Sequence, residues 1–216
     1  MAKRCKGLNS KCFLITYLMI VGFLLVLWMN NLPLMNKEQR EIPVAMQDYI
    51  VSPVRPLPAF SLNTDNKLAL TNDWFDGKWS LVYFSHSHCL PACQPTLQAM
   101  QQLQSSFANV DFQFLVIGID TEHETADELG DFLLEQKLDF KVATASAAVI
   151  DELASTFIAL FLKTDYADGS YQIEQKHHLF VVDPKGRLYA TFKPPFNEEL
   201  VQAKFLELRY FYARSE

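Results

Sequence analysis

Cysteine is scarce in this chain: Cys5, Cys12, Cys89 and Cys93 are the only four in 216 residues. That is too few for a disulfide scaffold. A basic stripe of the kind nucleic-acid binders carry is also missing. The net charge is −6 and the pI is near 5.4, which predicts only that the protein repels anions and stays in solution. No internal repeat or low-complexity segment occurs, so solenoids and arrays are excluded. What is abundant is apolar surface. Half the residues are hydrophobic and 13% aromatic, with 17 Phe, which suffices for a full core and excludes a disordered chain.

Charge is absent from Cys12 to Met29, CFLITYLMIVGFLLVLWM. As a helix these residues span roughly 27 Å, close to the hydrocarbon thickness of a bilayer. Lys3, Arg4, Lys6 and Lys11 precede them, so the N-terminus is expected in the cytoplasm and the rest of the chain in the periplasm. A cleaved signal peptide has a shorter apolar core and a small-x-small site behind it. Trp28, Met29, Asn30 and Asn31 stand there instead. The expectation is a cytoplasmic segment at residues 1–11 and an uncleaved, single-pass inner-membrane anchor at 12–29, with Trp28 at the far boundary. Residues 30–56 carry Pro33, Pro43, Pro53 and Pro56 with weak periodicity and are expected to be a tether. The folded domain is then 57–216.

Within that domain strands and helices alternate. Lys78–Phe84 and Val110–Ile119 are apolar, aromatic runs that predict buried strands. Pro95–Phe107 places Leu97, Met100, Leu103 and Phe107 at helical spacing, with Pro95 in the first turn, where its missing N–H costs nothing. Thr125–Gln136 and Ala147–Leu160 predict two more helices. Asp168-Gly169 is a hairpin signal. Leu179–Asp183 and Arg187–Phe192 flank Pro184-Lys185-Gly186 as a strand pair, and Asn197 is placed to cap a last helix. The order predicts a three-layer α/β domain with parallel strands first and an antiparallel pair later.

Cys89 and Cys93 fall between a buried strand and the following helix, where sites gather in α/β sheets. Free N–H groups and the positive dipole end at a helix start favour a thiolate, hence a better nucleophile and metal ligand. Two such thiolates can clamp a soft cation, Cu(I) first and Zn(II) next, or close into a disulfide. A purely structural disulfide is the plain alternative in an oxidising compartment. A bond over so short a loop, however, removes little unfolded-state entropy. Both sulfurs are expected to be reachable from solution.

The stretch GKWSLVYFSHSHCLPACQPTLQAM resembles the active-site segment of the Sco/SenC family, membrane-anchored thioredoxin-like copper proteins whose usual pattern is Thr-His-Cys-Pro-Asp-x-Cys-Pro. LPAFSL, IGIDTEHETADELGDFL and YQIEQKHHLFVVDPKGRLYATF continue the likeness, so that it covers roughly residues 57 to 192. The resemblance implies an α/β, thioredoxin-like fold behind an N-terminal transmembrane helix. It also implies copper, as Cu(I) and in some states Cu(II), held by Cys89 and Cys93 for delivery to cytochrome c oxidase. Some relatives look instead like thiol–disulfide reductases serving the same copper site. The resemblance favours the chaperone over the oxidoreductase. A factor that assembles partners with neither activity is the third reading.

Two departures bear on this. Leu90-Pro91 replaces the family's Pro-Asp, with Gln94 intruding before Pro95, and Gln175 stands at the family's third ligand, a His. An amide is a poor copper ligand. On an extended chain His177 shares a face with Gln175 while His178 points away, so His177 is the candidate third ligand. His88 matches the family's His before the first Cys, as a support for the thiol. His86 and His123 are expected to be solvated. Asp120 is expected either to serve the site or to cap the next helix. A peroxidase is disfavoured, because His86 occupies the place where such sites carry Thr or Ser.

Overall fold

The computed structural model describes residues 10–31, 41–107, 112–196 and 198–215. Two compact units divide the chain, residues 1–41 with 213–216, and residues 42–212. In the first, helix α1 runs Ser10–Asn31. Its described side chains, residues 15–27, are almost all exposed and apolar. Among the described residues no helix is long and apolar enough to cross a membrane. Lys3, Arg4, Cys5, Lys6 and Asn197 lie outside the described residues.

The second unit is built on an eight-stranded sheet in the order β1-β10-β9-β4-β5-β6-β2-β3. The strands are β1 (Ile50–Pro56), β2 (Ser61–Thr64), β3 (Ala69–Thr71), β4 (Trp79–Ser85), β5 (Phe112–Gly118), β6 (Lys141–Thr144), β9 (Leu179–Val182) and β10 (Arg187–Phe192). β4, β5 and β6 are parallel, while β9, β10 and β1 add antiparallel on one side and β2 and β3 on the other. The helices are α2 (Gln94–Ser106), α3 (Ala126–Glu135), α4 (Ala147–Phe157) and α5 (Glu198–Ser215). A separate hairpin, β7 (Phe161–Asp165) and β8 (Tyr171–Gln175), turns at Gly169, whose φ of 85° is the left-handed conformation glycine adopts without cost.

Alternation along β4 builds the two core layers. Leu81 and Tyr83 face α2 and α5, among Cys93, Leu97, Met100 and Phe205. Val82 and Phe84 face α4, among Ile150, Leu153, Phe157 and Phe180. The parallel-then-antiparallel order, the helix pattern and the hairpin at Asp168-Gly169 agree with the sequence. Two expectations are corrected, and one strand was not foreseen. Residues 44–56, read as tether, supply buried Met46 and Ile50 and the strand β1 that pairs with β10; proline tolerates an edge strand. β6 is a strand of four residues, too short for its period to show. α4 stops at Phe157 rather than Leu160, because Ile158 turns left-handed and Ala159 N–H returns to Ala154 O at 2.8 Å.

Candidate functional site

β4 ends at Ser85, and the chain between it and α2 folds into successive tight turns. Cys89 N–H donates to His86 O, Cys93 N–H to Cys89 O, and Leu97 N–H to Cys93 O, at 3.3, 3.1 and 3.0 Å. Cys93 is thereby the cap residue of α2, with Pro95 in its first turn. The two cysteines are joined as a disulfide across a Cα separation of 5.5 Å, and Ser85 Oγ donates to Cys89 Sγ at 3.5 Å. The helix entrance belongs to Cys93, which has no exposed surface; Cys89 retains 5%. Both cysteines are thus buried, against the expectation that both sulfurs are reachable from solution. Cys89 opens onto a cavity of about 590 Å³.

One wall of the cavity is the turn itself, with His86, His88 and Leu90; the other is residues 169–175 and His177. His86 is not solvated as expected. It is 4% exposed, because the backbone stays extended one residue beyond β4, at φ −151° and ψ 160°, and carries the ring inward. Burial depresses its basicity to about 4 against the pull of Asp120, and its Nδ1 has no partner. His88 is exposed, with Nδ1 at 3.2 Å from Ser87 Oγ. His178 is half-buried beside Phe180, their ring centroids 6.1 Å apart.

Gln175 and His177 share a face, as the alternation required. Gln175 Nε2 lies 2.9 Å from Phe84 O, 3.0 Å from Tyr83 Oη and 3.0 Å from His177 Nδ1, and Tyr83 Oη lies 2.7 Å from that Nδ1. Gln175 Oε1 is buried without a partner. Burial lowers the His177 pKa and raises that of Tyr83 above its ordinary range. Tyr83 was legible only as a core aromatic; its hydroxyl is the junction of this network.

At the other end of β8, Asp120 is buried and doubly bonded. Its Oδ2 accepts from Tyr171 Oη at 2.5 Å and its Oδ1 from His123 Nδ1 at 2.8 Å. Burial by itself would raise the carboxyl; the two bonds and the imidazole outweigh it and hold it below the usual range. Its hydrogen bond pushes Tyr171 up to about 12. The cap of α3 is Thr125, in a reciprocal pair with Glu128, so Asp120 serves the hairpin rather than the helix. His123 is exposed as expected, but stacks on Tyr171 with centroids 4.3 Å apart. Glu124, unremarked in the sequence, holds the cysteine turn: its Oε1 accepts from Ser87 N–H at 2.8 Å, its Oε2 is buried without a partner, and burial raises its pKa.

With the sulfurs bonded to each other, neither is a thiolate, and among the described residues no three His, Cys, Asp or Glu side chains are grouped to hold a metal ion. Reduction would free two soft donors from the pair itself.

The SCO1/SenC family model matches residues 53–208. Among curated relatives, Protein SCO1 homolog 2, mitochondrial, of Arabidopsis thaliana is 23% identical over 162 residues, 73% of this chain and 58% of that protein. The chain thus spans little more than half the length of that relative. A putative copper-binding protein of Stutzerimonas stutzeri is 21% identical over 151 residues, 68% of this chain and 74% of that one. Of solved structures, Arabidopsis thaliana ScoI with copper bound superposes with a TM-score of 0.62 at 21% identity, covering 72% of this chain and 98% of that chain. Yeast Sco1 with copper bound gives 0.62 at 18% identity, covering 71% and 87%. The fold is the thioredoxin-like fold of these proteins, and with most of residues 42–212 inside the family match, the chain belongs to the SCO1/SenC family.

Proposed function

We propose that this chain is a copper-handling assembly factor for cytochrome c oxidase, tethered to the inner membrane by residues 12–29 with its domain in the periplasm. Reduced Cys89 and Cys93 take Cu(I) as cargo, and His177, on the facing wall, is the candidate third donor. Delivery is then ligand exchange with a partner's thiolates. The observation that carries this reading is the Cys89–Cys93 pair, joined at the edge of a cavity that three histidines also line. The test is titration of the reduced full chain in detergent with Cu(I) against a competing chelator. Binding should be at least tenfold tighter than in the Cys89→Ala, Cys93→Ala variant; equal binding would end the proposal.

A second reading is favoured by Gln175, since redox work needs no third ligand. Cys89 thiolate attacks a partner's disulfide, forming a mixed disulfide and releasing one partner thiolate. Cys93 thiolate then attacks the Cys89 sulfur, releases the second partner thiolate and leaves the Cys89–Cys93 bond, so that two electrons pass to the partner. Cys89 is the sulfur on the cavity, as the first step requires. A Cys93→Ser variant should accumulate the mixed disulfide; absence of any adduct with a disulfide peptide counts against this reading.

A further inference from the structure

Gln175 stands where a ligand is expected, yet its contacts are not those of a vacant position. Phe84 O can only accept, so it fixes the amide with its NH2 group inward. One N–H is committed there. The other faces the pair formed by Tyr83 Oη and His177 Nδ1, each at 3.0 Å. An N–H on Nδ1 would meet this amide donor head-on. Nδ1 must therefore carry the lone pair and accept from the Tyr83 hydroxyl at 2.7 Å, while Tyr83 Oη accepts from the amide. A neutral imidazole has one proton, and it is left for Nε2.

We propose that Gln175 and Tyr83 are positioning residues that hold His177 in the Nε2–H tautomer, so that the ring lining the cavity offers a proton donor where a metal would need a lone pair. The usual surroundings of a metal-binding histidine are the reverse. There the second nitrogen donates to a carboxylate or carbonyl, which frees the first to ligate. Resting on the copper reading above, the consequence is that the two thiolates make the first claim on the ion. His177 joins only when the Nε2 proton has been displaced, and Gln175 thereby sets how tightly copper is kept.

The tautomer is read directly by two-bond 15N–1H correlation spectra of the copper-free, disulfide-closed full chain in detergent, labelled at histidine, with His177→Gln assigning the signal. The expected pattern is a protonated Nε2 and an unprotonated Nδ1; a proton on Nδ1 overturns the proposal whatever copper does. In a second arm Gln175→Glu places an acceptor against Nδ1 and should reverse the tautomer. Copper affinity of the reduced chain should then rise by about tenfold, and the gain should vanish when His177→Ala is added. Unchanged affinity with a reversed tautomer would refute the claim that Gln175 tunes copper. Wild-type binding no better than the double-cysteine variant would instead sink the copper reading and leave the tautomer result standing.

Discussion

The two ends of β8 are fastened to the sheet by opposite chemistries. At Tyr171 the fastening is saturated: both oxygens of Asp120 are bonded, one to the phenol and one to His123. At Gln175 it is not. The amide nitrogen is drawn toward three acceptors, its oxygen has no donor, and His86 on the opposite wall of the cavity also keeps an unpartnered nitrogen. Buried polar groups in proteins are nearly always paired, and exceptions need a reason. The first end is scaffold. The second keeps a buried amide oxygen without a protein partner.

That contrast can be broken by mutation, and the largest effect belongs to the saturated end. Asp120→Ala removes a buried carboxylate and strands two donors, and should cost about 3 kcal/mol in urea unfolding. It should also speed proteolysis within the hairpin; protection equal to wild type would show that Asp120 does not hold it. Tyr171→Phe deletes one bond to a charged acceptor and should cost about 2 kcal/mol by the same measurement. Gln175→Leu removes the orphaned oxygen but also the donor to Phe84 O, so its cost should stay within about 1 kcal/mol. If that variant proves worse than Tyr171→Phe, the two ends are not different in kind.

Acid titration sharpens the comparison further. His86 has its folded pKa lowered by burial from 6.5 to about 4. Between those values the unfolded chain binds the extra proton, so stability falls as pH falls through that window. His86→Gln should flatten this limb of the stability–pH curve; an unchanged limb would mean the ring is solvated after all. Glu124 works in the opposite sense. Its carboxyl is raised by burial, so the folded state holds the proton and stability falls as pH rises through the raised value; Glu124→Gln should remove that slope. Asp120, its carboxyl held below the ordinary 3.8, stabilises the fold above that value and loses this contribution as pH falls through its lowered pKa.

Much of the scaffold was legible because local pattern carried it. The apolar run of β4, the helical spacing from Leu97 to Phe107 and the Thr125 start of α3 each rest on residues within one or two turns of each other. The strands that escaped notice, β1, β2, β3 and β6, are short or proline-bearing and owe their state to pairing with distant partners. The site divides the same way. Cys89 and Cys93 announced themselves by spacing and by their place between a strand and a helix. The misjudged residue was His86, whose polar neighbours Ser85, Ser87 and His88 suggested a solvated loop.

By itself the amino-acid order determined that a buried strand meets a helix across two cysteines, since strand period, helix period and the proline after Cys93 are local properties. It also determined that Gln175 and His177 share a face, because successive side chains of an extended segment alternate. Tertiary structure alone decided what that face meets. Tyr83 and Gln175 are 92 positions apart, and Asp120 and Tyr171 are 51. Only the packing of the β8 strand over the ends of β4 and β5 brings them within bonding distance, where the direction of each hydrogen bond assigns the imidazole its proton.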